Sequence, residues 1–202
     1  MDGMDLVNLI GLSGYARSGK DEAAKVLVEE FGFKRIAFAD KLRDFLYALN
    51  PLVVDNPDVH EVTDSDGNVI KKFYDTVRVR DIIDEFGWDG YKETSFVTEI
   101  RGLLQRLGTE AGRQTLWDSI WIDAAFAGLD PNGKYVITDA RFPNEAEAIR
   151  ERGGLLWRIK RLGVGPANSH ASETSLDDYD FDTVIHNDGT LEEFHDKIRT
   201  RI

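Results

Sequence analysis

The sequence predicts an α/β fold in which a parallel sheet is flanked by helices. Three observations carry this reading. Leu6–Leu12 is a short and nearly continuous apolar run, as expected of a strand buried on both faces. A glycine-containing loop, Ser13–Gly19, leads from it straight into helical spacing over Asp21–Phe31, where Ala23, Val26, Leu27 and Phe31 share a face. The order then repeats as strand, helix, strand, helix, which places helices over the faces of a parallel sheet. A chain of 202 residues, 42% hydrophobic, suits one domain with one good core.

The remaining elements follow in order. Gly32 stops the first helix, Arg35–Phe38 is a second strand and Asp40–Leu49 a second helix, ended by Asn50-Pro51. Residues 52–93 are the least regular and read as a peripheral insertion. Within them Asp66-Gly67 marks a hairpin between Val62 and Val69-Ile70, and Val79–Phe86 is a short helix stopped by Gly87. Helices are expected over Phe96–Leu107 and Leu116–Phe126, with a Gly-containing break between them. A strand over Tyr135–Thr138 runs into Asp139, and a helix over Pro143–Arg152 follows, with proline in its first turn and Gly153 past its end. Leu155–Ile159 is a strand, Gly163–Asp180 a loop and Thr183–Ile185 a last strand. Thr190 opens the final helix, with Glu193 completing a capping box.

Composition removes several function classes. With no cysteine there is no disulfide framework, thiolate nucleophile or zinc–thiolate site. No apolar run approaches the roughly 18 residues that span a bilayer, and the acidic start has no basic leader, so the chain reads as soluble and cytoplasmic. A net charge of −12 repels nucleic acid and argues against a broad DNA-binding surface. It repels small anions too, so an enzyme acting on nucleotides must gather its cations locally.

The segment Gly14-Tyr-Ala-Arg-Ser-Gly19-Lys20-Asp21 fits G-x-x-x-x-G-K between a strand and a helix, the context that makes a P-loop. Such a loop turns successive N–H groups around an anion, and the following helix points its positive end there. Gly14, Ala16, Arg17, Ser18, Gly19, Lys20 and Asp21 are therefore the expected nucleotide-binding residues, with Lys20 reaching the β- and γ-phosphates. Asp21 stands where a P-loop usually has Ser or Thr on Mg²⁺. It either takes over the metal or simply favours the helix N-terminus. Asp139, ending an apolar strand, is the second expected metal ligand. Ala140 and Arg141 follow it, with no Glu to polarise water, which favours transfer to a bound acceptor over hydrolysis. No Asn-Lys-x-Asp motif for reading guanine is present.

A phosphorylated acceptor needs its own cations. Lys41 and Arg43 lie in the second helix. Arg101, Arg106 and Arg113 surround Gln105–Arg113, and Arg158, Lys160 and Arg161 precede the long loop. A solvated helix face would account for any one of them equally well. Gln105 and Thr109 could read a base edge or a sugar, and Trp117 and Trp121 suit the core better than base stacking.

Taken together, Gly14–Asp21, Phe38-Ala39-Asp40-Lys41-Leu42-Arg43, Leu104–Arg113, Thr138-Asp-Ala-Arg-Phe-Pro-Asn-Glu145 and His170-Ala-Ser-Glu173 occur in an order that resembles the bacteriophage deoxynucleoside monophosphate kinases and the similar animal-type phosphomevalonate kinases. The resemblance covers nearly all of the chain outside 52–93. It implies an adenylate-kinase-like P-loop fold with an acceptor-binding arm and a lid over 162–180, and the reaction ATP plus dNMP giving ADP plus dNDP with Mg²⁺. It also implies acceptor contacts from Asp40, Lys41, Arg43, Gln105, Thr109 and Arg113, and lid contacts from Arg161, His170 and Glu173. Catalysis would rest on Lys20, Arg113, Asp139 and Arg141. A phosphomevalonate-type kinase and a non-catalytic nucleotide-binding module remain as alternatives. The sequence names neither the base nor the oligomeric state, and a homodimer is one arrangement it allows.

Overall fold

The computed structural model describes residues 8–54, 60–73, 75–166 and 174–202. The chain divides into two compact units, Met1–Asp40 with Trp121–Ile202, and Lys41–Ile120. The first is built on a five-stranded parallel sheet. Its strands are β1 (Leu9–Ser13), β2 (Lys34–Ile36), β7 (Tyr135–Ile137), β8 (Leu155–Lys160) and β9 (Thr183–His186), in the order β2-β7-β1-β8-β9. The expected α/β class with a parallel sheet is therefore present.

β1 is central and buried along its whole length, which is why its sequence is a run and not an alternation. Its side chains still divide between two cores. Ile10 and Leu12 join Leu27, Trp157, Phe194 and Ile198 on the side of α1 (Lys20–Phe31) and the last helix. Leu9 joins Ile122, Ile149 and Leu156 on the side of α5 (Ile120–Phe126) and α6 (Pro143–Arg150). Gly11 faces this second core, where an added Cβ would stand 2.5 Å from Ile149 Cδ1.

The second unit has its own core of Leu46, Val53, Val79, Ile82, Ile83, Tyr91 and Ile100. It comes from α2 (Phe38–Leu49), β3 (Leu52–Val54), α3 (Val79–Gly90), the short 3-10 turn Tyr91–Glu93 after it, and α4 (Val97–Gln105). β3 pairs antiparallel with β6 (Thr76–Arg78), and β4 (His60–Thr63) with β5 (Val69–Phe73). The β4–β5 hairpin matches the one read from Asp66-Gly67, and the Asp64 carboxylate accepts the Asp66 and Asn68 amides in its turn. Residues 52–93, read as an insertion, supply much of this core.

Several boundaries differ from expectation for identifiable reasons. α2 starts at Phe38, not Asp40, although Ala37 cannot cap it. Gly87 leaves helical geometry at φ 71°, but the helix resumes to Gly90. The break between the two expected helices falls at residues 115–119, not around Gly108. There α4 passes into a wider π-helical run, Arg106–Gln114, and Gly108 lets Leu42 approach, its Cδ2 lying 3.0 Å from where a Cβ would be. α5 begins at Ile120, so Trp117 lies outside it and is exposed, whereas Trp121 is in the core. The expected loop 163–180 is anchored at its end, since Leu176 is buried and Tyr179 and Phe181 pack beside it. Among the described residues no helix is long and apolar enough to cross a membrane.

The last helix, α7 (Leu191–Arg199), carries the predicted capping box of Thr190 and Glu193. It is clamped to α1 by Arg199, which donates to both oxygens of Glu30 at 2.8 Å. That hydrogen bonding holds Glu30 below its ordinary value of 4.5. Lys197 likewise lowers Asp188, and the Thr190 amide lowers Glu193. A carboxylate whose folded pKa is depressed contributes stability above its unfolded pKa and loses it as pH falls through the folded one. Thermal unfolding followed by circular dichroism should therefore show a steady Tm down to about pH 5 and a fall below it. Glu30→Gln should flatten part of that fall.

Candidate functional site: a phosphate cradle

The loop between β1 and α1 closes on itself through Lys20, whose Nζ donates to Gly14 O at 2.7 Å and Tyr15 O at 2.9 Å. The backbone needed for this is unusual. Gly14 has φ 151°, Gly19 φ 110°, and Arg17, with a side chain, sits at φ 65°. Gly14 also has no room for a Cβ, which would meet Ile159 O at 2.5 Å. The helix that follows has Gly19 at its N-cap and no side-chain cap. A helix N-terminus capped by glycine points its positive end and its first-turn amides toward an anion. Ser18 is buried and its Oγ has no hydrogen-bond partner, a further polar atom held within the cradle.

Asn187, just past β9, was not singled out from the sequence. Its Nδ2 donates to Ser18 O at 2.9 Å and lies 2.5 Å from where a Cβ on Gly19 would be. It buttresses the loop from behind. Nothing in the local pattern marks it, because its partner is 169 residues away.

Asp21 lies at the start of α1. It lines a cleft of about 260 Å³ with Ala24, Lys25, Val28, Glu29, Arg35 and Thr138. Thr138 is the last residue before Asp139, so a carboxylate and a hydroxyl, both hard oxygen donors, share one cleft. Asp139 itself is differently employed. Its Oδ1 accepts from Phe38 N at 2.9 Å and its Oδ2 from Ala39 N at 3.0 Å. The side chain is half-buried, and desolvation pushes its pKa up against those two hydrogen bonds; the Asp40 charge pushes the same way. Asp40 accepts from Arg35 at 2.7 Å and from Ala37 N at 2.9 Å. Arg141 is exposed, and its amide donates to Glu145 Oε2 at 2.8 Å. Glu145 is buried and also accepts from Phe142 N, so it fixes the turn that presents Arg141.

Of the cations before the long loop, Arg158 is not available to an acceptor. It is 5% exposed and donates to Ser13 Oγ at 3.0 Å and Asp177 Oδ1 at 2.7 Å. Its guanidinium lies 4.8 Å from the centre of the Tyr15 ring. Burial and the Asp177 hydrogen bond raise the Tyr15 pKa. Arg161 is exposed and makes a long 3.5 Å contact to Arg17 O. His170 and Glu173 lie outside the described residues.

The other acceptor candidates belong to the second unit. Lys41 pairs with Asp44 at 3.2 Å, and Arg43 lies over the Trp88 ring at 5.9 Å. Gln105, Thr109 and Arg113 are spaced by four along the run from the end of α4 through the π-helical turns, and so fall on one side of it. π-Helical turns are rare and occur often at functional sites. Gln105 and Thr109 are exposed and Arg113 is half-buried. Lys20, Asp21, Asp40, Asp139, Arg141 and Arg161 are all in the first unit.

The family of deoxynucleotide monophosphate kinases matches residues 76–198. The chain belongs to that family. Among relatives, it is 32% identical over 94% of its length to a putative deoxynucleotide monophosphate kinase of Acanthamoeba polyphaga mimivirus, covering 93% of that protein. It is 28% identical over 83% of its length to the deoxynucleoside-5'-monophosphate kinase of Escherichia phage T5, covering 84% of it. The deoxynucleotide monophosphate kinase of Enterobacteria phage T4 is 24% identical over 97% of this chain and 99% of its own. The family match begins after the P-loop, so the cradle described above is independent support for a kinase of this family.

Gly19 offers a direct test of the cradle. Gly19→Ala combines a left-handed backbone with a close approach to Asn187, a strain of about 1–3 kcal/mol that should weaken ATP binding by about tenfold or more in calorimetry. Gly32→Ala, at φ 74° with open space around it, should lower Tm and leave ATP binding unchanged.

Proposed function

We propose that this chain transfers the γ-phosphoryl group of ATP to the phosphate of a deoxynucleoside monophosphate, giving ADP and the deoxynucleoside diphosphate. The observation that carries the reading is the cradle at the start of α1, a lysine-closed loop that enters its helix through a glycine N-cap. Membership of the deoxynucleotide monophosphate kinase family supplies the acceptor class.

Phosphoryl transfer needs positioning and charge neutralisation more than a strong base. The cradle amides of residues 14–20 orient the ATP phosphates. Lys20 exchanges its two carbonyl partners for the β- and γ-phosphates when nucleotide enters. Arg141, presented by the turn that Glu145 fixes, neutralises charge on the transferred group. Lys41, Arg43, Gln105, Thr109 and Arg113 of the second unit take the acceptor, with Asp40 at the head of the same helix as Lys41 and Arg43. Arg161, His170 and Glu173 are assigned to the region that excludes water. The donor set fits Mg²⁺ at Asp21, which shares its cleft with Thr138, and bound Mg²⁺ would supply charge neutralisation between the phosphates. Asp139 fits that role less well, because both its oxygens already accept amides. The substrate is a small molecule, and the overall charge of −12 disfavours nucleic acid as an alternative.

ADP formation from Mg-ATP should depend on one or more of the four deoxynucleoside monophosphates. Lys20→Ala should cut kcat/KM by about 10² or more. Phosphomevalonate and an acceptor-free reaction serve as the opposing arms. Turnover with phosphomevalonate alone, or with no acceptor, would overturn the assignment.

A further inference from the structure

A helix begins with N–H groups that have no partner within it, and a side chain at the N-cap usually supplies one. α2 has Ala37 at that position and no side-chain oxygen to offer. Its donors are satisfied from elsewhere. Asp40 reaches back to Ala37 N at 2.9 Å. The amides of Phe38 and Ala39 donate to the two oxygens of Asp139, at 2.9 and 3.0 Å, across 101 and 100 residues of sequence. A carboxylate in this place also meets the positive end of the helix dipole.

The geometry points to Asp139 as a positioning residue: it is the cap of α2, holding the first turn of the helix that carries Lys41 and Arg43, and the metal falls to Asp21. Asp139 lies two residues past the end of β7, an interior strand of the sheet, so the cap ties the head of α2 to a strand that is buried throughout. This employs both carboxylate oxygens and explains why a half-buried acid stands at a point where Ala37 leaves the helix uncapped. The helix continues unbroken from Phe38 to Leu49, so looseness in its first turn is passed along to Lys41 and Arg43. In this way Asp139 acts on the acceptor without touching it.

Asp139→Asn tests the cap, since it keeps the shape but turns one of the two acceptors into a donor. Amide exchange is measured on the full chain without nucleotide or metal. In the natural protein Phe38 and Ala39 should be protected, unlike ordinary first-turn amides; in Asp139→Asn they should exchange about tenfold faster, with Leu27 in α1 unchanged. The double variant Ala37→Ser/Asp139→Asn, which supplies a local cap, should recover part of the protection. In kinetics, which rest on the phosphoryl-transfer reading, Asp139→Asn should raise the acceptor KM about tenfold and leave the ATP KM and the Mg²⁺ half-saturation within about twofold. The opposite pattern, unchanged exchange with a Mg²⁺ half-saturation raised about tenfold and an unmoved acceptor KM, would make Asp139 a metal ligand and end the proposal. Unprotected amides at Phe38 and Ala39 in the natural protein would end it too, even if the variant did not fold. If no deoxynucleoside monophosphate is phosphorylated by the natural protein, the kinase reading fails and the exchange data alone decide the cap.

Discussion

Unfilled N–H groups at the start of a helix are the constraint on which the first unit is built. In a parallel sheet with crossover helices, helices start at the carboxyl edge of the strands, so several positive ends gather there. Among the described residues, α1, α2, α6 and α7 follow strands of the sheet. α2 is closed by Asp139 and Asp40, α6 by Glu145 and α7 by Thr190 with Glu193. α1 differs in having glycine at its N-cap, which offers no side-chain cap of its own. Side chains thus serve the starts of the neighbouring helices, whereas α1 starts from a glycine.

This arrangement also reconciles an acidic protein with anionic substrates. A net charge of −12 would repel a nucleotide if the acids were evenly spread. Several of the acids are instead committed to hydrogen-bond donors or cations. Asp177 is held by Arg158, Asp40 by Arg35, Glu30 by Arg199 and Glu22 by His195 at 2.8 Å. A carboxylate that already accepts two hydrogen bonds presents a weaker field to an incoming phosphate than a free one.

How much of this could be read from the sequence depended on distance along the chain. Gly14–Asp21 was legible because the loop, its lysine and its helix are contiguous. The α7 capping box and the β4–β5 hairpin were legible for the same reason. The start of α2 was not, because its cap is Asp139, and Ala37 gives no sign of one. Arg158 looked like a member of a surface cluster; its burial depends on Ser13 and Asp177, which the fold brings to it. The glycines near Arg113 suggested a break between helices, but Gly108 serves close packing against Leu42 inside a continuous run. Trp117 was expected in the core on composition and is 52% exposed, since its helix begins three residues later. Asp21, Asp40, Asp139 and Arg141 were all picked out, yet the work done by Asp139 belongs to a helix that local pattern cannot connect to it.

The buried guanidinium of Arg158 has a consequence for how this chain can change over time. Ser13 at the end of β1, Tyr15 in the cradle and Asp177 near the end of the long loop all meet on one planar cation. Lysine would keep the charge but lose the fork that serves two oxygens at once. Loss of Asp177 alone would strand a charge with little solvent to receive it. Substitution at any one of these positions is therefore conditional on the others. Drift here must proceed in paired steps, and a descendant that abandons the arginine must first redesign the loop that now leans on it.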